Sequence, residues 1–382
     1  MKIVIAIDSF KGSMSTLVAG EAVKEGIKRV YPDAEAVVCP LADGGEGTVR
    51  AIYASLGAEL VRICVTGPLG EPVEAEYAYR KSDGLAIMEM ASAAGLPLVP
   101  EDRRDPRYTT TYGVGEMIRD AITRHGCRKF IIGIGGSATN DGGIGMLSAL
   151  GYGFTDKEGM PVKRGAVGLA EIESIDTSMA TTELAECEFH VACDVKNPLL
   201  GEMGASRVFA PQKGATPETV EELERLLTHY AKVSREVLGH DYSSHPGAGA
   251  AGGLGFALVG YLRATLEPGI DIVMNAVGLE EMICDADIVV TGEGRLDGQS
   301  AMGKAPVGVA TLAKRYGKPT IAFAGALTPD ATALQAHGID ALFPIQRSPI
   351  TLEEAMNTEV ARQNLADTSA EVFRLIKAIK SN

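Results

Sequence analysis

The sequence predicts an α/β protein built as two dissimilar α/β domains with an interdomain cleft, the first domain discontinuous. Three observations carry that expectation. Short apolar runs alternate with helical periods at both ends of the chain. A meander-like stretch interrupts the alternation from residue 59. Glycine-rich loops follow several of the apolar runs.

Residues 3–7 are a continuous apolar run ended by Asp8, the pattern of a strand buried on both faces. Val18, Ala22, Val23, Ile27 and Val30 fall on one helical face, with Ser15 as N-cap and Pro32 as the stop. A second strand is expected over 36–39, followed by a loop over 42–47 that opens a helix through Ala54. The stretches 59–65, 72–80 and 85–90 read as strands joined by the turn signals Gly67-Pro68, Gly70 and Ser82-Asp83-Gly84. A helix is predicted around 113–125, strands from Lys129 and over 188–193, and a helix over 217–238. Residues 243–255 read as a Gly/Ala/Pro loop. The N-terminal style returns with a strand over 286–291. A helix over 306–316, strands over 319–324 and 341–345, and a helical region from 352 follow. The expected division is an α/β (Rossmann-like) domain from 1–62 and 286–382, with 63–285 inserted as a second α/β domain. Clefts between lobes are where small molecules usually bind.

The charge balance narrows the partners. Lys and Arg number 36 against 50 Asp and Glu, a net charge of −14 over 382 residues. That field repels nucleic-acid phosphates and anionic lipid, so neither nucleic acid nor membrane is expected as a partner. An anionic substrate requires a local convergence of Lys and Arg. The 45 glycines exceed the roughly 27 that a usual ~7% would give. Six scattered cysteines without a CxxC pair, most in or beside apolar strand-like stretches, suit small buried thiols in a reducing cytoplasm. The five apolar residues after Lys2 are too few for a signal-peptide core of ~7–15, and the longest uncharged run, 246–262, carries six glycines.

Two glycine-rich segments stand out. Gly133-Ile134-Gly135-Gly136-Ser137-Ala138-Thr139-Asn140-Asp141-Gly142-Gly143 directly follows a strand. Glycines let a ligand approach the backbone, whose successive N–H groups can surround an anion. Thr291-Gly292-Glu293-Gly294-Arg295-Leu296-Asp297 is expected as a loop after a second buried strand, leading to Lys304 at the start of a helix. The spacing Gly298-x4-Gly303-Lys304 nearly matches a P-loop, but Ala305 replaces the Ser/Thr that would ligate Mg²⁺. What survives is a lysine where helix dipole and backbone donors favour phosphate. Gly247-x-Gly249-x-x-Gly252 satisfies GxGxxG, yet no strand precedes it; Gly133-x-Gly135-x-x-Ala138 has its strand but no acidic residue on a following strand. Asp8 to Ser13, Asp43 to Thr48, and Asp194 to Pro198 place further polar loops at strand ends, and 209–214 adds Lys213 in a turn. His190 reads as a satisfied core residue.

Taken in order, these segments resemble the bacterial glycerate kinases of the type I family. They are Asp8-Ser9-Phe10-Lys11-Gly12, Ala42-Asp43-Gly44-Gly45-Glu46-Gly47, the 133–143 loop, Cys193-Asp194 with Asn197-Pro198-Leu199, Pro211-Gln212-Lys213-Gly214, 246–253 and Thr291 to Arg295. The resemblance spans essentially the whole chain. It implies transfer of the ATP γ-phosphoryl group to D-glycerate with Mg²⁺, giving 2-phosphoglycerate in the branch most resembled, 3-phosphoglycerate being the other outcome. Phosphoryl transfer asks for positioning and charge neutralisation. The chemistry assigns the nucleotide to Gly135, Gly136, Ser137, Thr139, Asn140, Lys213 and Lys304, and Mg²⁺ to Asp141, Glu293 and Asp297. It assigns the glycerate carboxylate to Arg295 with Lys11 in support. Asp194, with Asp43 second, would deprotonate the attacking hydroxyl. Two rival readings stay open: an NAD(P)-dependent oxidoreductase of a small hydroxy acid, and a two-lobed binding protein without catalysis. Self-association is left open.

Overall fold

The computed structural model describes residues 1–41, 53, 56–298, 300 and 304–380. Apart from Tyr53, the predicted loop and helix of 42–54, and with them Asp43, lie outside the described residues. In chain order the strands are β1 (Lys2–Ile5), β2 (Glu35–Val38), β3 (Glu59–Thr66), β4 (Pro72–Arg80), β5 (Leu85–Glu89), β6 (Lys129–Gly133) and β7 (Gly153–Thr155). β8 (Ser174–Asp176), β9 (Glu188–Ala192), β10 (Thr265–Glu267), β11 (Ile288–Leu296), β12 (Thr320–Leu327) and β13 (Ala341–Pro344) complete the set. The described residues divide into two compact units, one drawn from those of 1–56 and 270–380 and the other from 57–269.

The first unit is a parallel sheet in the order β13-β12-β11-β1-β2. Ile3, Val4 and Ile5 are fully buried, as a strand covered on both faces requires. On one face Ile5, Val23, Ile27, Val290 and Phe373 share a core; on the other Leu296, Val307, Ala310 and Leu334 pack together. The helix Thr16–Val30 starts where Ser15 accepts the Val18 N–H and is stopped ahead of Pro32. It crosses the helix Thr358–Lys380 closely: a side chain at Gly26 would come within 2.3 Å of the Ala366 carbonyl oxygen. Thr16 ties the sheet's end together, its hydroxyl donating to Ile7 O at 2.6 Å and accepting from Leu41 N. The chain rejoins this unit at Ile270, where Ile270 and Met274 of the helix Gly269–Ala276 approach Gly308.

One expectation fails here. The segment from Thr291 to Leu296 is not a loop after a strand; it is the second half of β11, in register with β12 from Thr291↔Ala322 to Leu296↔Leu327. Its glycines serve sheet packing, since a Cβ on Gly292 would lie 2.1 Å from the Phe323 carbonyl oxygen.

The second unit carries a mixed sheet ordered β10-β9-β6-β5-β4-β3. The strands β3, β4 and β5 form the expected antiparallel meander, while β5, β6, β9 and β10 run parallel. Phe130 and Phe189 stack on adjacent strands, and Leu223, Leu227 and Tyr230 of the helix Pro217–Leu238 fill the core behind them. The glycine-rich stretch before residue 255 conceals a helix start at Leu254, because Gly252 and Gly253 hold positive φ values and seat that helix. His190 is not a core residue: its side chain is about half exposed, with Nδ1 2.7 Å from Glu267 Oε1. All six cysteines are free thiols; Cys39 and Cys127 are buried, whereas Cys64 and Cys284 are exposed rather than packed. Among the described residues no helix is long and apolar enough to cross a membrane.

Candidate active site

In the first unit β1 and β11 are parallel neighbours whose connections leave in opposite directions, to β2 on one side and β12 on the other. The crevice outside the carboxyl ends of such a pair is the standard ligand position of an open α/β sheet. The backbone keeps the pair together past β1, with Ala6 N donating to Val290 O and Asp8 N to Gly292 O. Asp8 is buried and its carboxylate accepts the Ser9 N–H. A Cβ at Gly294 would stand 3.2 Å from Phe10 Cα, so glycine there lets the loop bearing Lys11 close onto β11.

Five of the predicted residues converge at this end. Glu293 is only 9% exposed, and Ser300 donates its hydroxyl to Oε1 at 2.7 Å. Lys304 Nζ lies 3.8 Å from the same oxygen. Burial raises the Glu293 pKa; the Ser300 hydrogen bond and Lys304 oppose the rise, Asp297 adds to it and Lys11 counters it. Asp297 accepts the Ser300 N–H at 3.1 Å, and Arg295 Nε stands 3.5 Å from its other oxygen. Arg295 itself is largely exposed. Lys304 caps the helix Ala305–Arg315, whose first turn holds Pro306. Two carboxylates, a hydroxyl, an arginine and two lysines thus share one strand-end cluster in a molecule of net negative charge. Ser300 is the residue the sequence did not single out; only its place inside the P-loop-like spacing hinted at it.

In the second unit the 133–143 loop leaves β6 and Asp194 leaves β9, adjacent parallel strands paired up to Gly133↔Ala192. Gly135 and Gly136 are exposed. Gly136 has φ +71°, the left-handed region that favours glycine. Gly135 differs: a Cβ there would meet nothing within 4 Å, so nothing inside the fold demands glycine at that position. Asp194 is exposed and accepts the Gly269 N–H at 3.0 Å.

Behind the exposed glycines the loop is internal. Ser137, Thr139, Asn140 and Asp141 are buried. Asp141, expected to hold a metal, is fully buried and already occupied. One oxygen accepts Thr111 N at 2.8 Å and Thr111 Oγ1 at 2.9 Å, and the other accepts Gly143 N at 3.1 Å. Burial raises its pKa despite these bonds. It is an anchor for the turn, and a metal there would have to displace those donors; Thr111, which the sequence reading passed over, is its main partner. Asn140 donates to Ser206 Oγ at 3.2 Å, while Thr139 Oγ1 and Asn140 Oδ1 find no hydrogen-bond partner among the described residues. Lys213, expected on the nucleotide, is 2% exposed and donates inward to Ser137 Oγ and Thr139 O. The GxGxxG match at 247–252 packs against this loop: a Cβ on Gly252 would lie 2.0 Å from Thr139 O.

The comparisons with known proteins agree on one family. The model of the glycerate kinase family matches residues 3–377. A glycerate kinase of Bacillus subtilis (strain 168) is 46% identical over 381 residues, covering 100% of this chain and 99% of that one. A glycerate 2-kinase of Escherichia coli (strain K12) is 48% identical over 375 residues, covering 97% and 98%. A crystal structure from Salmonella typhimurium LT2, provisionally assigned as a glycerate kinase 2, superposes with a TM-score of 0.92 at 47% identity over 100% of both chains. With strand ends of this chemistry and a family match over nearly its whole length, the chain belongs to the glycerate kinase family and is an enzyme.

Proposed function

We propose that this enzyme transfers the γ-phosphoryl group of ATP to D-glycerate, with Mg²⁺, and releases 2-phosphoglycerate. The observation that carries the reading is the cluster at the β1/β11 switch point, where Glu293, Asp297 and Ser300 meet Lys304 and Lys11. Carboxylates beside lysines are the donor set a metal-bound phosphate chain asks for. The name of the Escherichia coli relative, glycerate 2-kinase, favours the 2-position over the 3-position.

Glu293 and Asp297 would hold Mg²⁺, a hard cation that accepts one or two carboxylates and keeps several waters. When bound, the ion neutralises charge on the phosphates. Lys304, exposed at its helix N-terminus, faces phosphate with the helix dipole behind it. Gly135 and Gly136 offer exposed backbone to the phosphate chain, and Ser137 a hydroxyl. Arg295 pairs the substrate carboxylate in two-point contact, with Lys11 in support. Asp194 takes the proton of the attacking hydroxyl as its oxygen bonds to phosphorus and the bridging oxygen departs with ADP. Asp43, outside the described residues, is second for that role. The free thiols support a reducing cytoplasm as the working compartment.

ADP release from purified enzyme with ATP, Mg²⁺ and D-glycerate tests the activity. Phosphorus NMR of the product tests the position. Phosphorus on O2 couples to one methine proton and gives a doublet; on O3 it couples to a methylene and gives a triplet. NADH oxidation with hydroxypyruvate, in the absence of ADP release, would sink the proposal.

A further inference from the structure

Lys213 is among the largest fully buried side chains of the protein. It ends the short 3₁₀ turn Pro211–Lys213, closed by Gly214 at φ +97°. A Cβ on Gly214 would lie 2.3 Å from the Arg104 carbonyl oxygen, so the turn needs glycine both for its conformation and for its space. The turn aims the lysine inward. Its Nζ donates to Ser137 Oγ at 2.8 Å and to Thr139 O at 2.6 Å, two points that straddle Ala138. Ala138 is itself tied on both sides, its N–H donating to Ala94 O and its carbonyl accepting Thr109 Oγ1.

An ammonium in such a place costs stability, and a sequence that needed only a filled interior would hold a thioether or an aliphatic chain there. Because Nζ donates to Ser137 Oγ, a lone pair of that oxygen is engaged and its own proton is turned elsewhere. Ser137 borders the exposed Gly135 and Gly136, so that proton has the phosphate-facing side of the loop available. We propose that Lys213 is a positioning residue, which locks the 137–139 segment and presents Ser137 as a hydrogen-bond donor to the phosphate chain of a nucleotide without touching that chain itself. The inference rests on the reading of the glycine loop as the nucleotide's seat. Burial pushes the Lys213 pKa down to about 7, and Asp141 is the charged group that opposes the shift. An anion seated on the loop would favour the protonated form further, so nucleotide binding above neutral pH should draw in a proton.

The test is kinetic, with Lys213→Met, Ser137→Ala and the double variant. Each single change should raise the KM for ATP roughly tenfold to a hundredfold, with the KM for glycerate unchanged, and the double variant should be no worse than either. A raised KM in S137A with K213M unaffected, or a double variant whose losses multiply, overturns the inference and leaves the glycine-loop reading standing. An unchanged ATP KM in S137A, K213M and Gly135→Ala alike overturns both. Calorimetry of the unmodified enzyme with MgATP alone at pH 8, in two buffers of different ionisation enthalpy, needs no variant to fold. It should show proton uptake, and its absence would overturn the inference.

Discussion

The two glycine-rich segments have similar compositions and different work. One continues a buried parallel strand and the other follows one, and both looked in the sequence like ligand loops. In the 291–296 segment the glycines are pressed from within: Gly292 against Phe323 O, Gly294 against Phe10. Under the proposed function the ligand-facing group there is Glu293, the one side chain between them. In the 133–143 loop the arrangement is inverted. The side chains from Ser137 to Asp141 are buried, whereas Gly135 and Gly136 expose bare backbone. The test that separates them is where a Cβ would go. Under the proposed function Gly135, which nothing inside the fold requires, is the glycine left open for the phosphate chain.

That contrast can be broken or sharpened by substitution, beginning with the largest expected effect. Asp194→Asn removes the carboxylate proposed as base and should lower kcat by at least about 100-fold with a normal unfolding midpoint; near-normal turnover would clear Asp194 of that role. Glu293→Gln should raise the Mg²⁺ concentration for half-maximal rate about tenfold to a hundredfold, read from a metal titration of ADP release. Gly292→Ala should cost roughly 1–3 kcal/mol of stability, read as a lower denaturation midpoint, because the added methyl group meets backbone that cannot move aside. Gly135→Ala should leave stability within about 0.5 kcal/mol and raise only the KM for ATP. If the two alanine variants behaved alike, the distinction between packed and receiving glycines would fail. A further effect is thermodynamic. An unfolded lysine keeps its proton up to about 10.5, whereas folded Lys213 releases it near 7. The unfolded state therefore holds more protons between those values, and this group's contribution to stability improves as pH rises through the window. Relative to Lys213→Met, the unmodified enzyme should gain stability from pH 7 to 10 in denaturant titrations.

Much of this was legible because local chemistry and fold agreed. Ser15 caps its helix as the sequence implied, the helix Pro217–Leu238 matches its apolar period, and the turn signals at Gly67, Gly70 and Gly84 delimit a real meander. What stayed hidden depended on which partner each group finds once the chain is folded. The occupancy of Asp141 comes from Thr111, the coupling of Glu293 to Asp297 from Ser300, and the inward aim of Lys213 from a turn held against Arg104. Carboxylates and lysines look alike in a sequence whether they face solvent, a ligand or a neighbour. Ser300, inside Gly298-x4-Gly303, gave no sign of its hydroxyl's task, and the 243–255 stretch read as a loop because the glycines that seat a helix are the same residues that end one.

The pairing of Ile3 with Ile288 has a consequence for how the molecule comes into being. Once β1 is made, one of its two neighbours leaves the ribosome only after nearly 300 further residues, roughly a quarter of a minute to a minute later at ~5–20 residues per second. Meanwhile the stretch 57–269 can complete its own core. β1 is thus an apolar strand that must be shielded or kept apart until its late partner emerges. Slow translation, or a stall before residue 288, exposes this protein to misassembly at β1.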